Sequence, residues 1–437
     1  MRFLNLLVIL LCASSFELAA QKLSSGPMPG YSTMREVGVW LQLDKPATIQ
    51  LEYWPENSPS KSLKTEPVKC TKENAAVGKF VISGLEPGTT YAYRILNGTT
   101  NLTDDLDLKF HTQALWQFRT DPPNFRLALG SCTYINEEPY DRPGAPYGGN
   151  YEIFDAIANT NPDMMLWLGD NIYLREVDWD TRSGILHRYT HTRATPQLQQ
   201  LLQSTHHYAI WDDHDFGPND GNGSWLHKDK SLEAFELFWI NPTTGVPGLK
   251  GITTAFEFND MDFFLLDNRY NRTSNQLKSG NPQILGKDQI DWLIEALKYS
   301  RAPFKFVAVG GQLLSTAAIY ENHAVYAEER EYILRRIDEE GIRGVVFLTG
   351  DRHHTELSKL ETKSGILIYD LTASPLTSKA YNGNDENNTV RVEGTLVNER
   401  NFAVLDFSGP RKDRSMKISI FGSDGGLKWE QTIKSNN

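Results

Sequence analysis

The chain has 437 residues, of which 40% are hydrophobic and 11% aromatic, a composition typical of a globular protein with two or three domains. Its 55 acidic residues outnumber the 44 basic ones, and the formal net charge is −11. This balance argues against a basic nucleic-acid-binding face, so we expect no specific nucleic-acid partner.

The first predicted element is an export signal over residues 1–20. The segment Phe3–Cys12 is almost wholly apolar, follows Arg2, and leads to small residues that suit signal peptidase. Because this run is about half of the ~20 residues that a spanning helix needs, we expect cleavage, no stable transmembrane segment and a periplasmic or secreted product. A membrane anchor and a lipoprotein modified at Cys12 are the alternatives, and the bulky residues before Cys12 disfavour lipidation.

Residues 21–121 predict an N-terminal all-β domain. Short β-rich runs such as Val37–Leu43 and Thr48–Trp54 are separated by clusters of Pro, Asn, Gly and Ser, which is the pattern of a small β-sandwich. The stretch Ser83–Ile95 looks like the turn and strand near the end of a fibronectin type III-like module. Such modules usually serve as spacers, packing partners or binding surfaces, so we do not expect catalysis here.

Residues 122–437 predict a second domain in which strands alternate with helices. Strand patterns lie at Arg126–Gly130, Met164–Leu168, Tyr208–Trp211, Thr253–Asp267 (two strands), Phe304–Val309 and Gly344–Leu348. Helical patterns lie at Tyr151–Thr160, Gln197–His207, Lys230–Trp239, Lys287–Ser300 and Glu328–Glu340. The alternation indicates βαβ units, and the chain after Leu357 returns to β-hairpin patterns. We therefore predict an α/β (α+β) fold in which two packed sheets are flanked by helices.

Several of these strands end in residues that can bind metal. Asp170 follows the strand at Met164–Leu168, Asp212–Asp215 follows Tyr208–Trp211, and Asp351–His354 follows Gly344–Leu348. Each motif alone could be a turn or a solvated acidic loop. Three carboxylates within Asp212–Asp215 repel one another, however, unless a cation offsets them. Because the carboxyl ends of parallel strands are where ligands bind in such sheets, these groups suit one or two cations of a hydrolytic site.

The motifs together resemble the alkaline phosphatase D-like (PhoD-like) phosphatases and phosphodiesterases of the calcineurin-like metallophosphoesterase superfamily. The matching residues are Gly130–Cys132, Gly169–Tyr173, Trp211–Asp215 with Asn219, Leu266–Arg269 with Arg272, and Gly350–His354. They occur in the family's order over about residues 123–410, and the preceding β-sandwich is similar to the family's N-terminal domain. The resemblance implies a metallophosphoesterase catalytic domain over residues 122–437.

The resemblance also implies a ligand set for Fe³⁺ and Ca²⁺, with other divalent metals as alternatives. Asp170 would bridge the two metals. Cys132, Tyr173 and His353 would bind the iron, and Asp213, Asn219 and Asp351 the calcium. Cys132 would then be a free thiol, although a disulfide between Cys70 and Cys132 is the alternative that the cysteine count leaves open. Only the match to the family's motif makes Cys132 and Tyr173 candidate iron ligands, since in isolation they would be interpreted as packed core residues.

Further roles follow from the same resemblance. His214 would protonate the leaving oxygen or stabilise the transition state, or else be a structural histidine. Arg269 would clamp phosphate oxygens through its planar fork, or else hold Asp267 in an ion pair. The uncertain candidates, which could contact the ligands or a bound water instead of the metals, are Asp212, Gln312 and His354.

The predicted function is an exported phosphoester hydrolase in which a dinuclear metal site activates water for in-line attack on phosphorus, on monoesters, diesters or both. An exported polymer-binding protein with structural metal is the alternative, and closed coordination spheres would support it. The natural substrate and the oligomeric state stay open.

Overall fold

The structure is a computed structural model that describes residues 21–277 and 279–435. The predicted export signal and Cys12 lie outside the described residues. Within the part of the chain that is described, no helix is both long enough and apolar enough to cross a membrane.

The N-terminal region is all β, as predicted. Its strands are β1 (Leu23–Ser32), β2 (Glu36–Leu43), β3 (Ala47–Pro55), β4 (Leu63–Lys64), β5 (Val68–Cys70), β6 (Val77–Ser83), β7 (Thr90–Asn97), β8 (Thr100–Asn101) and β9 (Lys109–His111), with a 3₁₀ turn at Pro59–Lys61. One sheet has the order β1-β2-β6 and the other β4-β3-β7-β8, with β5 on β3 and β9 on β7. Strand β2 is buried on both faces. Its Val39 packs in the core of this sandwich, whereas the Trp40 indole donates to the Leu237 carbonyl of the second domain at 3.0 Å.

The second domain contains the remaining strands and all the α-helices of the described residues. Its strands are β10 (Phe125–Gly130), β11 (Met164–Leu168), β12 (His206–Ile210), β13 (Thr254–Phe258), β14 (Met261–Leu265), β15 (Lys305–Val309), β16 (Val345–Thr349), β17 (Glu356–Glu361), β18 (Leu367–Thr372), β19 (Asn401–Ser408), β20 (Ser415–Gly422) and β21 (Leu427–Lys434). Its helices are α1 (Ile153–Asn159), α2 (Arg182–Arg193), α3 (Leu198–Ser204), α4 (Asp213–Phe216), α5 (Lys228–Phe238), α6 (Lys287–Tyr299) and α7 (Ala327–Glu339), with a 3₁₀ turn at His323–Tyr326.

These strands form two six-stranded sheets, with the orders β12-β11-β10-β19-β20-β21 and β13-β14-β15-β16-β18-β17. The sheets pack face to face, and the rings of Phe306 in one sheet and Phe407 in the other are 5.5 Å apart. On the outer face of the second sheet, Leu293 of α6 and Ile333 of α7 pack with Val307 and Phe347. The predicted α/β sandwich flanked by helices is therefore confirmed.

Two local predictions were wrong. The helix predicted over Gln197–His207 ends at Ser204, because His206 and His207 pair in parallel with Met164 and Met165 as the start of β12. Helix α2 was missed altogether. It buries Arg188 and Arg193 beside its apolar residues, so its sequence lacks the apolar stripe by which a surface helix is recognised.

Candidate metal centre

The predicted ligands converge at one edge of the sandwich. Strands β10, β11 and β12 are parallel neighbours in one sheet, and β14, β15 and β16 are parallel neighbours in the other. The loop after each strand therefore leaves from the same end of its sheet. Cys132 follows β10, Asp170 follows β11, Asp213 follows β12, and Asp351 and His353 follow β16.

The backbone at these loops turns sharply. Cys132, Asp170, Asp351 and His353 have φ values of 63°, 51°, 66° and 54°, in the left-handed region that residues other than glycine rarely adopt. Such conformations cost about 1–3 kcal/mol each and persist where the surrounding structure holds them. Here the Thr133 N–H donates to the Asp170 carbonyl at 2.7 Å, which joins the first two loops. Strained loops that aim side chains at one point are typical of functional sites.

One group of side chains unites the four residues predicted to bind iron. Potential ligand atoms of Cys132, Asp170 and His353 lie within 4.8 Å of one another, and the Cys132 Sγ is 3.6 Å from an Asp170 carboxylate oxygen. The Tyr173 hydroxyl is 3.2 Å from the His353 Nε2. Cys132 is a free cysteine, as predicted, and the Ser374 hydroxyl donates to its sulfur at 3.2 Å.

The His353 ring is oriented for ligation. Its Nδ1 lies 2.6 Å from the Lys379 carbonyl, an acceptor, so Nδ1 carries the proton and Nε2 presents its lone pair to Tyr173. The Tyr381 ring stacks on the imidazole with centroids 4.9 Å apart. Burial lowers the pKa of His353 to about 4, which keeps the ring neutral and able to bind a metal.

A second group of side chains shares Asp170 with the first. Asp170, Asp213 and His214 have ligand atoms within 4.8 Å of one another, and so do Asp212, Asp213 and Asp351. The His214 backbone N–H donates to Asp170 at 3.2 Å and to Asp213 at 2.9 Å. Asp170 thus lies between a group that contains thiol and imidazole and a group of carboxylates, which is the position expected of a bridging ligand.

The charges of this cluster are not balanced by the protein alone. Burial, followed by the charges of Asp213 and Asp212, raises the pKa of Asp170 well above its ordinary range. Burial likewise raises the pKa of Asp351 to about 8 and that of Asp215 to about 7. Burial opposes ionisation of Asp213 too, but the charges of His214 and Arg269 outweigh it and hold the Asp213 pKa below its ordinary value. Carboxylates that repel one another in a buried site are the donor set that hard cations require, so these residues fit a metal centre.

The pKa shifts predict how the stability of the metal-free protein depends on pH. Burial raises the folded-state pKa of Asp212 to about 6, and Asp215 and Asp351 titrate higher still. Burial lowers the pKa of His206, His207 and His353, so below about pH 7 these histidines bind protons only in the unfolded chain and oppose that trend. Above about pH 7 they are neutral in both states, whereas the buried carboxylates of the folded state still bind protons that the unfolded chain has released. The free energy of unfolding therefore falls as pH rises from about 7 to 8.5. Asp213, whose pKa is lowered, changes the stability only below about pH 4 and does not affect this window.

We expect calorimetry on chelator-treated protein to give a lower Tm at pH 8.5 than at pH 7, and added divalent metal to raise the Tm most at pH 8.5. A metal-free Tm that stays level or rises between pH 7 and pH 8.5 would contradict the charge imbalance.

Arg269 contacts acidic side chains. Its Nε donates to Asp212 at 2.6 Å, and one Nη lies 2.5 Å from Glu321 and also contacts Asp212. Arg272 binds the other oxygen of Glu321 at 2.5 Å. The predicted alternative, an ion pair between Arg269 and Asp267, is wrong for the side chain, because Asp267 accepts the backbone N–H of Arg269 instead. The fork that was to clamp phosphate is therefore engaged by carboxylates.

The four residues Asp212–Asp215 make different contacts. Asp212 caps helix α4 and pairs with Arg269, while Asp213 and His214 face the ligand groups. Asp215 accepts the backbone N–H groups of Asn171 and Asp212 at 3.0–3.2 Å and so ties two of the ligand loops together. The His214 ring lies against the Tyr173 ring, with centroids 4.2 Å apart.

The remaining predicted residues lie around the centre. Asn219 is on an exposed turn, beside Asp220, whose N–H donates to Asp213 at 2.7 Å. Gln312 donates to Glu356 and to Thr372, and its buried side-chain oxygen has no partner among the described residues. His354 is fully buried, with Nε2 3.8 Å from Glu356 and 3.9 Å from Glu386.

Sequence reasoning missed two acidic residues of the site. Glu321 and Asp220 form a group with Asp213, in which ligand atoms lie within 4.8 Å of one another. Glu321 lies in the long connection between β15 and α7, in a stretch without any motif. Asp220 directly follows Asn219, so the polar turn after the WDDHD motif could have identified it as a candidate from the sequence.

Comparison with known proteins identifies the family of this chain. Residues 127–410 match the PhoD-like phosphatase family. The alkaline phosphatase D of Bacillus subtilis (strain 168) is 25% identical over an alignment 358 residues long, which covers 69% of this chain and 58% of that relative. The chain thus spans less than two thirds of the length of the relative that it matches.

Two solved structures share the fold. A structure of PhoD superposes with a TM-score of 0.74 at 17% identity, over 94% of this chain and 92% of that one. The purple acid phosphatase PPD1 from yellow lupin (Lupinus luteus) seeds gives 0.68 at 12% identity, over 93% and 74% of the two chains. At these identities the likeness concerns the fold alone.

Proposed function

Since the chain belongs to the PhoD-like phosphatase family, we propose that it is an exported, metal-dependent phosphoester hydrolase with two metal sites that share Asp170. The observation that carries this proposal is the position of Asp170, whose carboxylate belongs both to the group with Cys132 and His353 and to the group with Asp213 and His214. A carboxylate between two cations is the usual bridge of two-metal hydrolases. Export rests on the apolar segment at residues 3–12.

The ligands divide by chemistry. Thiolate, phenolate and imidazole from Cys132, Tyr173 and His353 suit Fe³⁺. The oxygens of Asp213, Asn219 and Asp351 suit Ca²⁺, which takes about 6–8 oxygen ligands, including waters. Asp170 would contact both ions. When bound, such metals act as Lewis acids toward phosphate and lower the pKa of water into the neutral range.

Two side chains beside the metal sites have roles of their own. His214 lies beside the shared carboxylate and is partly exposed, so we assign it to proton donation to the leaving alcohol oxygen. Arg269, enclosed by Asp212 and Glu321, acts as a positioning residue that lets these carboxylates stay ionised next to the centre. This assignment replaces the phosphate clamp, because a guanidinium engaged by carboxylates has little capacity left for substrate.

A panel of phosphomonoesters and phosphodiesters, assayed at defined Fe and Ca content, tests the proposal. We expect hydrolysis that is lost on chelation and regained on metal addition. Fully metallated, folded protein that hydrolyses none of the panel would refute the proposal and would favour a binding protein with structural metal.

The role of His214 predicts a dependence on the leaving group. His214→Asn should lower kcat for alkyl phosphates by about 100-fold, because a poor leaving group needs a proton as its bond to phosphorus breaks. p-Nitrophenyl phosphate, whose leaving group is stable as an anion, should lose far less. Steady-state kinetics on both substrates measures the difference. His111→Asn, which changes an exposed histidine of strand β9, is the matched control, and an equal loss on both substrates would exclude proton donation.

A further inference from the structure

A small internal cavity lies directly behind two of the metal-ligand loops. Its wall is made only of buried residues from strand β11, from the loops after β10 and β11, from helices α2 and α3, and from the end of α5, namely Thr133, Trp167, Asn171, Ile172, Tyr189, Thr192, Arg193, Leu198 and Trp239. The space inside it that is open to the centre of a water molecule is about 10 Å³. A cavity of this size holds a single water-sized guest.

Four of the lining residues have a buried polar atom without a well-aligned hydrogen-bond partner among the described residues. These atoms are the Thr133 Oγ1, the Asn171 Oδ1, the Tyr189 hydroxyl and the Trp239 Nε1. The Trp239 Nε1 is close enough to the Tyr189 hydroxyl to donate to it, which leaves the Tyr189 proton to find an acceptor. Buried polar groups in folded proteins are nearly always hydrogen-bonded, to protein or to ordered water. Thr133, Asn171 and Tyr189, which line one cavity, therefore each have a polar group that still needs a partner, and together they point to a guest that bonds to them.

The chemistry of the guest follows from the two groups whose roles are fixed. The Asn171 amide donates through Nδ2 to the Ile210 carbonyl at 2.7 Å and to Asp215 at 3.1 Å, so its free Oδ1 can only accept. The Trp239 Nε1 can only donate, either to the guest or to the Tyr189 hydroxyl, and in the second case the Tyr189 proton needs the guest as its acceptor. The guest must therefore both donate and accept, while the hydroxyls of Thr133 and Tyr189 can rotate to do either. Water meets this requirement, and an anion such as chloride, which cannot donate to Asn171, does not.

Arg193 is the one lining residue that would draw an anion, but its charge is met elsewhere. Its guanidinium lies 3.8 Å from the centre of the Trp239 ring and 5.3 Å from that of Trp40. It also donates to the Phe238 carbonyl at 3.2 Å and to the Met28 sulfur at 3.1 Å. The cation is therefore stabilised by ring faces and neutral acceptors, which leaves the cavity to a neutral guest.

We propose that this cavity binds one structural water and that this water steadies the metal-ligand loops. Thr133 and Asn171 directly follow the ligands Cys132 and Asp170, whose backbones have positive φ. A water bonded to both residues, and to Tyr189 of helix α2 behind them, links the two strained loops to that helix. The water site is independent of catalysis, but its effect on metal retention rests on the proposed metal centre.

High-resolution crystallography of the intact protein tests the site itself. We expect one peak within about 3.2 Å of both the Asn171 Oδ1 and the Tyr189 hydroxyl, refining as water. A crystal soaked in bromide should show no anomalous signal there. An empty cavity would overturn the proposal, and a bromide peak would replace the water with an anion.

Two isosteric variants test the effect on the loops. Thr133→Val and Tyr189→Phe each remove one partner of the water, and we expect each to weaken metal affinity about tenfold, as loss of a group that supports a metal ligand typically does. The second variant is decisive should the first fail to fold.

Thr205→Val is the matched control, since the hydroxyl of this buried residue already donates to the Pro162 carbonyl at 2.7 Å. Thr205 directly precedes β12, so it lies at the end of that strand opposite to the metal-ligand loops. Titration of apo-protein with iron and calcium, followed by metal analysis, gives the affinities without any assay of hydrolysis. Affinities of the two cavity variants equal to that of the control would refute the steadying role. Absence of metal binding in every protein, the wild type included, would instead refute the metal centre.

Discussion

Asp170→Asn is expected to lower the hydrolysis of p-nitrophenyl phosphate and bis-p-nitrophenyl phosphate by at least about 1000-fold, because one carboxylate serves both ligand groups. A neutral amide cannot hold two cations together, so both metals should bind more weakly. Initial rates, together with the metal content of the purified variant, measure the effect. Asp180→Asn, which changes an exposed carboxylate in the same way, is the control and should keep full activity.

The same variant should not be destabilised without metal. Burial and neighbouring carboxylates raise the Asp170 pKa well above its ordinary value, so its ionised form opposes folding when no cation is present. The metal-free variant should therefore unfold at a Tm equal to or above that of the metal-free wild type at pH 8. Full retained activity, or a large loss of apo-protein stability, would contradict the bridging position.

Arg269→Met is expected to destabilise the protein by about 3–5 kcal/mol, because it leaves the buried carboxylates of Asp212 and Glu321 without their shared cation. Urea unfolding, in which the midpoint moves while the slope stays constant, measures the loss. Arg142→Met is the matched control. Arg142 is largely exposed, its ion pair with Glu176 lies in water, and about 0–1 kcal/mol is expected there.

A double variant separates charge from packing. If the loss arises from uncompensated charge, Asp212→Asn combined with Arg269→Met should recover part of the stability, since one of the buried charges is removed as well. A double variant no more stable than Arg269→Met alone would assign the loss to packing. A stable Arg269→Met protein with raised KM and unchanged kcat would restore the phosphate-clamp role.

The convergence of the candidate metal ligands could be predicted from the sequence because their placement follows a local rule. A buried strand is recognised by about five residues that are all apolar or that alternate between apolar and polar, and the residues after it lie at the edge of the sheet. Asp170, Asp213 and Asp351 follow three such strands, and the structure brings their carboxylates into linked groups. Cys132 and Tyr173 needed the family's motif as well, because a buried thiol and a buried phenol look like ordinary core residues.

The partners of Arg269 could not be read in the same way. Asp212 lies 57 residues before it and Glu321 lies 52 residues after it, so no local spacing links them. Which carboxylate a buried guanidinium meets depends on how loops from both sheets pack. Helix α2 was missed for a related reason, since Arg188 is buried there by its ion pairs with Glu137 and Asp178, not by an apolar stripe.

The sequence by itself thus determined the all-β N-terminal region, the α/β region after it, the strand ends and the chemical types of the candidate ligands, because these depend on periodicity and on residues close together in the chain. Only the tertiary structure decided that Asp170 lies between two groups of candidate ligands, that Arg269 is enclosed by carboxylates, and that a small cavity lies behind the loops. These features depend on contacts between distant segments, and burial, which sets their charges and pKa values, exists only once those segments have packed together.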